Sequence, residues 1–205
     1  MEQLPYFNKI TLGEVLGKSG ENLNYWIKTR LKNGEIIQLK KGLYVSKLYL
    51  FSQERNIGNK EQYCELLANI IRYPSYISLE YALSKYGLIP EAIFAYTSVG
   101  LKSSRRFTNK LGNFYYRNIK KALFFGFKTI DFEGKRIKFA TKAKALFDFL
   151  YFKKFISLSH LKAELFVDLR INWDEFENVD KQEFKSIVLK SGSSKMKSVL
   201  KILKW

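Results

Sequence analysis

Asn22, Tyr25, Lys28, Thr29 and Lys32 carry amide, phenol, ammonium and hydroxyl groups at spacings that share one side of a helix, and Lys40 and Lys41 follow just before Gly42. These groups recognise; they do not break bonds. An amide and an ammonium near a helix start match the donors and acceptors of base edges in a DNA major groove, while lysines match phosphates. Asn22 and Lys28 are therefore the expected base-reading groups, and Lys32, Lys40 and Lys41 the expected phosphate contacts. The competing reading is an ordinary amphipathic helix with a solvated lysine face.

The elements that must hold these groups follow from periodicity. Thr11 and Glu14 have the spacing of a capping box and predict a first helix starting there, with Leu12, Val15 and Leu16 inside. Lys18-Ser19-Gly20 is a turn. Across 21–33, Leu23, Trp26, Ile27 and Leu31 recur at helical spacing, and Gly34 stops that helix. Ile36, Ile37 and Leu39, then Leu43-Tyr44-Val45, make the arms of a hairpin tipped by Lys40-Lys41-Gly42. Two short helices and a basic hairpin are the layout of a winged helix-turn-helix, expected over residues 1–50.

Groups suited to catalysis are sparse. Asp131, Glu133 and Lys135 alternate as some metal-dependent nucleases require, but the upstream stretch supplies no second carboxylate, and Glu133-Gly134 is a natural hairpin turn. The one cysteine, Cys64, falls on a helical pattern with Leu67, Ala68 and Ile71 and reads as a core thiol. The one histidine, His160, fits the first turn of a helix and cannot by itself build a metal site. Gly192-Ser193 is not followed by the paired aspartates of a nucleotidyltransferase, and no glycine-rich phosphate loop is present. The expectation is a protein that is not an enzyme, with no cofactor and no metal.

Charge points the same way. Lys plus Arg number 36 against 19 Asp plus Glu, a formal net charge of +17 on 205 residues, so the natural partner is a polyanion. No apolar run approaches the roughly 20 residues of a spanning helix, and the N-terminus does not read as a signal peptide. No membrane partner and a cytoplasmic location are expected.

The segment 51–60 loses periodicity and contains Gly58, which marks a boundary before a second domain over 60–205. That domain opens with a helix over 61–72, ended by Tyr73-Pro74, and a second helix capped by Ser78 and stopped by Gly87. The period then changes to two over 95–99, 105–108, 114–119, 128–132 and 136–139. Thr141 caps a helix carrying Ala145, Leu146, Phe149 and Leu150, and the remainder is helical. The expected class is α+β, a winged helix-turn-helix followed by helices and a small, mostly antiparallel sheet.

The run Pro74-Ser75-Tyr76-Ile77-Ser78-Leu79-Glu80-Tyr81-Ala82-Leu83, continued by Tyr86-Gly87-Leu88-Ile89-Pro90-Glu91, resembles the signature of the abortive-infection AbiEi antitoxins. So do Phe139-Ala140-Thr141-Lys142-Ala143-Lys144-Ala145-Leu146-Phe147-Asp148-Phe149-Leu150 and the N-terminal stretch ending in Gly42-Leu43-Tyr44-Val45, so the resemblance covers most of residues 11–155. Lys142 and Lys144 make the second motif unusually basic. The resemblance implies the antitoxin of a type IV toxin-antitoxin pair, encoded beside a nucleotidyltransferase-like toxin. It also implies a repressor that binds operator repeats in double-stranded DNA of its own promoter, with the C-terminal domain serving antitoxicity. Whether the toxin is contacted directly is left open.

Between Glu91 and Asp131 there is no acid, while Lys102, Arg105, Arg106, Lys110, Arg117, Lys120, Lys121 and Lys128 supply positive charge. If the strands there pair, the first seven are candidates for a second basic surface that extends the DNA footprint or receives an acidic partner; the competing reading is solvated charge. The interleaved Phe107, Phe114, Tyr115, Tyr116, Phe124, Phe125 and Phe127 fit a sheet core better than a base-stacking platform. Acids gather instead over 164–183, and Met196, Val199, Leu200 and Leu203 share a face expected to close the domain's own core with Trp205. The alternative function is a toxin- or RNA-binding interaction protein without operator binding.

Overall fold

A computed structural model describes residues 4–55, 59–155 and 157–205; Gly58, the linker marker named above, lies outside them. The chain is α+β. It opens with β1 (Phe7–Asn8), α1 (Lys9–Leu16) and α2 (Gly20–Lys32), followed by β2 (Ile36–Lys40) and β3 (Leu43–Ser46). The first cap is Asn8 rather than Thr11. Its Oδ1 accepts the Thr11 amide at 2.9 Å, so asparagine outcompetes the capping-box pair and α1 starts before it. Gly34, at φ 71°, ends α2 as expected, its amide donating to the Leu31 carbonyl at 3.1 Å.

The hairpin turns through Lys41-Gly42, and β1 adds to its far side, giving a three-stranded antiparallel sheet in the order β1-β3-β2. Both faces of β2 and β3 are covered. Ile36 and Tyr44 join Phe7, Leu12, Leu23 and Ile27 in a small core under α1 and α2. Ile37, Leu39, Leu43 and Val45, which alternation sends the other way, enter the large core formed by the remainder of the chain.

Helix α3 (Lys47–Glu54) takes in the first four residues of the stretch 51–60 read as aperiodic, and it buries Leu50 and Gln53. Then come α4 (Asn59–Ile71), β4 (Ser75–Ile77), α5 (Leu79–Lys85), β5 (Ala95–Gly100), β6 (Arg105–Asn109), β7 (Gly112–Asn118), β8 (Phe127–Phe132), β9 (Lys135–Ala140) and α6 (Lys142–Phe152). The second sheet has six strands in the order β6-β7-β5-β4-β9-β8. It is larger than expected and mixed, though most of its pairings are antiparallel: β6–β7, β5–β4 and β8–β9 run antiparallel, while β5–β7 and β4–β9 run parallel. The two hairpins at its edges are local in sequence; the parallel pairings that join them to the centre are not.

Helices cover both faces of this sheet. Tyr116 reaches one side, its hydroxyl donating to the Ala68 carbonyl of α4 at 2.7 Å, and Tyr76 reaches the other, donating to Asp148 of α6 at 2.8 Å. Thr141 caps α6 as expected, accepting from the Lys144 amide. Ser78 holds the cap position of α5, but its hydroxyl goes to Asp148 instead of the helix amides. The chain ends in α7 (Leu158–Ala163), α8 (Asn178–Ser191) and α9 (Ser194–Leu203). Met196, Val199 and Leu203 are buried, and the Trp205 ring meets Trp173, Phe176 and Phe184 at 5.7, 5.2 and 5.4 Å, so the last segment closes the core. Among the described residues no helix is long and apolar enough to cross a membrane.

Candidate nucleic-acid interface

Helix α2 is divided cleanly by burial. Leu23 and Ile27 are buried beneath it, whereas Asn22, Tyr25, Lys28 and Lys32 are exposed and Thr29 is half-buried. Tyr25 is 74 % exposed, an unusual cost for a large ring with no partner surface. Asn22, Tyr25 and Thr29 share a shallow hollow of about 390 Å³ with Lys18, Arg30 and Asn33. Lys28 and Lys32, one turn apart, flank it.

The far end of α2 is clasped. The Arg30 guanidinium lies 5.2 Å over the Trp26 ring and pairs with Glu35, which also accepts from the Asn33 side chain at 3.0 Å. The hydrogen bonds from Asn33 and Arg30 hold the Glu35 carboxyl below its ordinary value. These contacts lock the α2–β2 turn, which positions the hairpin relative to the helix.

At the hairpin the two lysines part company. Lys41 is exposed at the turn. Lys40 is half-buried and its ammonium donates to the Ile71 carbonyl at 2.5 Å, so it is a tie to α4 before it is anything else. Burial pushes its pKa down, helped by the positive charges of Lys102, Arg72 and Arg105. The sequence gives no hint of this because the carbonyl it meets is 31 residues away.

The hairpin and part of the second basic surface merge. The Asn109 side chain donates to the Leu39 carbonyl at 3.2 Å and ties β6 to β2. Between these strands runs a groove of about 520 Å³ lined by Lys40, Lys41, Arg105, Arg106 and Lys110, with Leu31 of α2 along it. Arg105 stacks over Phe107 at 5.3 Å and Arg106 over Tyr115 at 5.0 Å, so aromatic rings set both guanidiniums at the sheet edge. Lys102 sits in a loop held from two sides. Arg72 donates to the Ser103 carbonyl and hydroxyl, and the Asn118 side chain donates to the carbonyls of Leu101 and Lys102. Nothing in the spacing of Arg72 or Asn118 marks this role; each acts through the fold alone. Arg117, Lys120 and Lys121 do not line this groove. Arg117 lies 6.0 Å from the Phe152 ring of α6, and Lys120 and Lys121 stand at a short helical turn past the end of β7 that neighbours α8.

Most of the aromatics among these charges turn inward: Phe114 and Tyr116 are buried, and Phe107, Phe124, Phe125 and Phe127 are half-buried against the core, whereas the half-buried Tyr115 lies outside that cluster. Asp131 accepts the Gly134 amide at 3.2 Å, and Glu133 accepts from the Tyr49 hydroxyl at 2.7 Å and the Gln53 amide at 3.2 Å, so both acids serve the turn and its tie to α3. Among the described residues no three His, Cys, Asp or Glu side chains are grouped to hold a metal ion. Cys64 is buried, and burial pushes its thiol up.

The polar residues of the two motifs quoted above converge elsewhere. Lys144 and Asp148 are fully buried, 2.6 Å apart, and Asp148 also accepts from the hydroxyls of Tyr76 and Ser78, each at 2.8 Å. Burial pushes Asp148 up and Lys144 down, while their mutual attraction opposes both shifts. No family model matches the chain, and no curated protein matches it.

Proposed function

We propose that residues 7–46 act as a winged helix-turn-helix on double-stranded DNA, with α2 as the reading helix and the Lys41 turn as the wing. The observation that carries this reading is the exposed polar and basic face of α2, set directly opposite the buried Leu23 and Ile27. The net charge of +17 and the basic groove running from α2 along β2 and β6 support it, because a duplex that seats α2 would meet phosphate-binding side chains further along.

On this reading the chain is a transcriptional repressor of the AbiEi antitoxin type. It silences its own type IV toxin-antitoxin operon, and the six-stranded sheet with its helices counters a nucleotidyltransferase-like toxin. Support for the family step comes from the sequence resemblance alone, and two of its three stretches bring side chains together at Asp148.

A gel shift with the full-length chain and the DNA upstream of its gene tests the DNA step. Retardation that unlabelled upstream DNA competes away, and that random duplex does not, is the expected result; equal competition by both, or no retardation, overturns operator recognition. Co-expression with the adjacent gene tests the antitoxin step, the expected result being rescue of growth by this chain and the opposing one being no growth defect or no rescue.

A further inference from the structure

The sheet face turned toward α6 carries a second concavity, which adjoins the groove at β2 through Arg105 and Arg106. Arg106 of β6, Tyr115 of β7 and Thr97 of β5 sit side by side in register, and Arg117 follows two residues along β7 on the same face. With Glu80 from the first turn of α5 they line a pocket of about 330 Å³. Thr97 is spent, since its hydroxyl donates to the Ser78 carbonyl and accepts the Tyr81 amide. The other groups are not. Among the described residues, neither Arg106 nor Arg117 has a carboxylate within ion-pair distance, and Glu80 has no cation within it. Leu79, beside Glu80, is held at a φ of 62°, a left-handed conformation that a leucine adopts only where its surroundings impose it.

The chemistry of this set is mixed in a way that selects a ligand. Two unpaired guanidiniums offer the forked donors that match a phosphate. The Tyr115 ring with the Arg106 guanidinium 5.0 Å over it provides a flat stacking unit. Glu80 supplies an acceptor and a negative charge, which a bare anion would have no use for and a donor-bearing ring would. The volume lies at the lower end of the roughly 300–1,000 Å³ of small-molecule sites.

We propose that this pocket binds a nucleoside monophosphate, with the phosphate on Arg106 and Arg117 and an amino-bearing base directed to Glu80. The site is independent of the DNA reading of α2. It would give the chain a means of responding to a nucleotide.

Calorimetric titration of the full-length chain with AMP, UMP and inorganic phosphate tests it. AMP is expected to bind more tightly than UMP, and UMP more tightly than inorganic phosphate. Arg117→Ala and Arg106→Ala should each weaken AMP by about tenfold, the value of a lost charged hydrogen bond. Glu80→Ala should erase the preference for AMP over UMP. Arg106 and Arg117 are exposed, and an unchanged circular dichroism spectrum and melting temperature secure the fold of each variant. The proposal is overturned by equal binding of AMP and inorganic phosphate, by arginine variants that bind AMP as the parent does, or by no heat at about 5 mM ligand. It is also overturned if no AMP binds and the same variants weaken duplex DNA, since the arginines then belong to the nucleic-acid face.

Discussion

Lys144 and Asp148 stand one helical turn apart on α6 and meet at 2.6 Å with no solvent access to either side chain. Their surroundings make the pair tolerable. The ammonium lies 4.9 to 5.6 Å from the rings of Phe147, Phe125 and Tyr76, and the carboxylate takes two hydroxyls as well as the ammonium. Tyr76 and Ser78 flank the end of β4, a strand inside the sheet, so the network fastens α6 to the centre of the fold.

Removing one member strands the other. Asp148→Ala leaves a buried ammonium and two orphaned hydroxyls, and the expected loss is about 3–5 kcal/mol by urea denaturation. The double replacement Lys144→Met with Asp148→Leu should recover most of that, because two apolar side chains of similar size carry no desolvation cost. A double variant as unstable as the single one would refute the account.

Glu65 gives the pH dependence its sign. It is buried, and desolvation raises its carboxyl above the ordinary value of 4.5 despite the Tyr81 hydroxyl at 2.8 Å and Lys85 at 3.8 Å. A raised carboxylate binds its proton more tightly folded than unfolded, so the penalty is absent below 4.5 and grows as pH rises through the elevated folded value. Glu65→Gln should therefore raise the urea midpoint at neutral pH, with the gain shrinking as pH falls towards 4.5. A gain independent of pH would assign the effect to packing.

Lys40 and Lys41 should separate in opposite ways. Lys41→Ala is expected to weaken duplex binding and lower the salt slope by about one, with stability unchanged. Lys40→Ala should lower the melting temperature, because the Ile71 carbonyl loses its donor. Identical behaviour of the two variants would contradict the tie to α4.

On α2, Lys28→Ala should weaken operator binding, and a gel shift unaltered by it would remove Lys28 from the reading face. Reversing charge at Arg105 and Arg106 should flatten the salt dependence by about two or more. An unaltered slope would return those residues to solvated surface.

A fragment ending at residue 50 should remain largely unfolded by circular dichroism. Its hairpin would expose Ile37, Leu39, Leu43 and Val45, which the intact chain buries in the large core. Cooperative melting of that fragment would show that the small core suffices.

What the sequence discloses is what depends on neighbours in the chain. Gly34 ending α2, the Lys41-Gly42 and Glu133-Gly134 turns, the Thr141 cap and the buried face of α9 all rest on spacing within a few residues. Strands β1 and β4 are two and three residues long, too short for an alternation to register. The capping pattern at Thr11 misleads because a better side chain lies three residues earlier. In the site, the exposed face of α2 is legible from its period, whereas the diversion of Lys40 to Ile71 and the pairing of Lys144 inside aromatic walls require partners that only the folded topology supplies.

Strands β2 and β3 are a partition shared by two apolar compartments, with α1 and α2 on one side and the bulk of the chain on the other. A helix mounted this way is not slung on a tether. If α2 reads a duplex as proposed, torque on it would pass through the partition into the sheet, so helix and sheet would meet the DNA as one stiff lever with the angle between them set before the encounter.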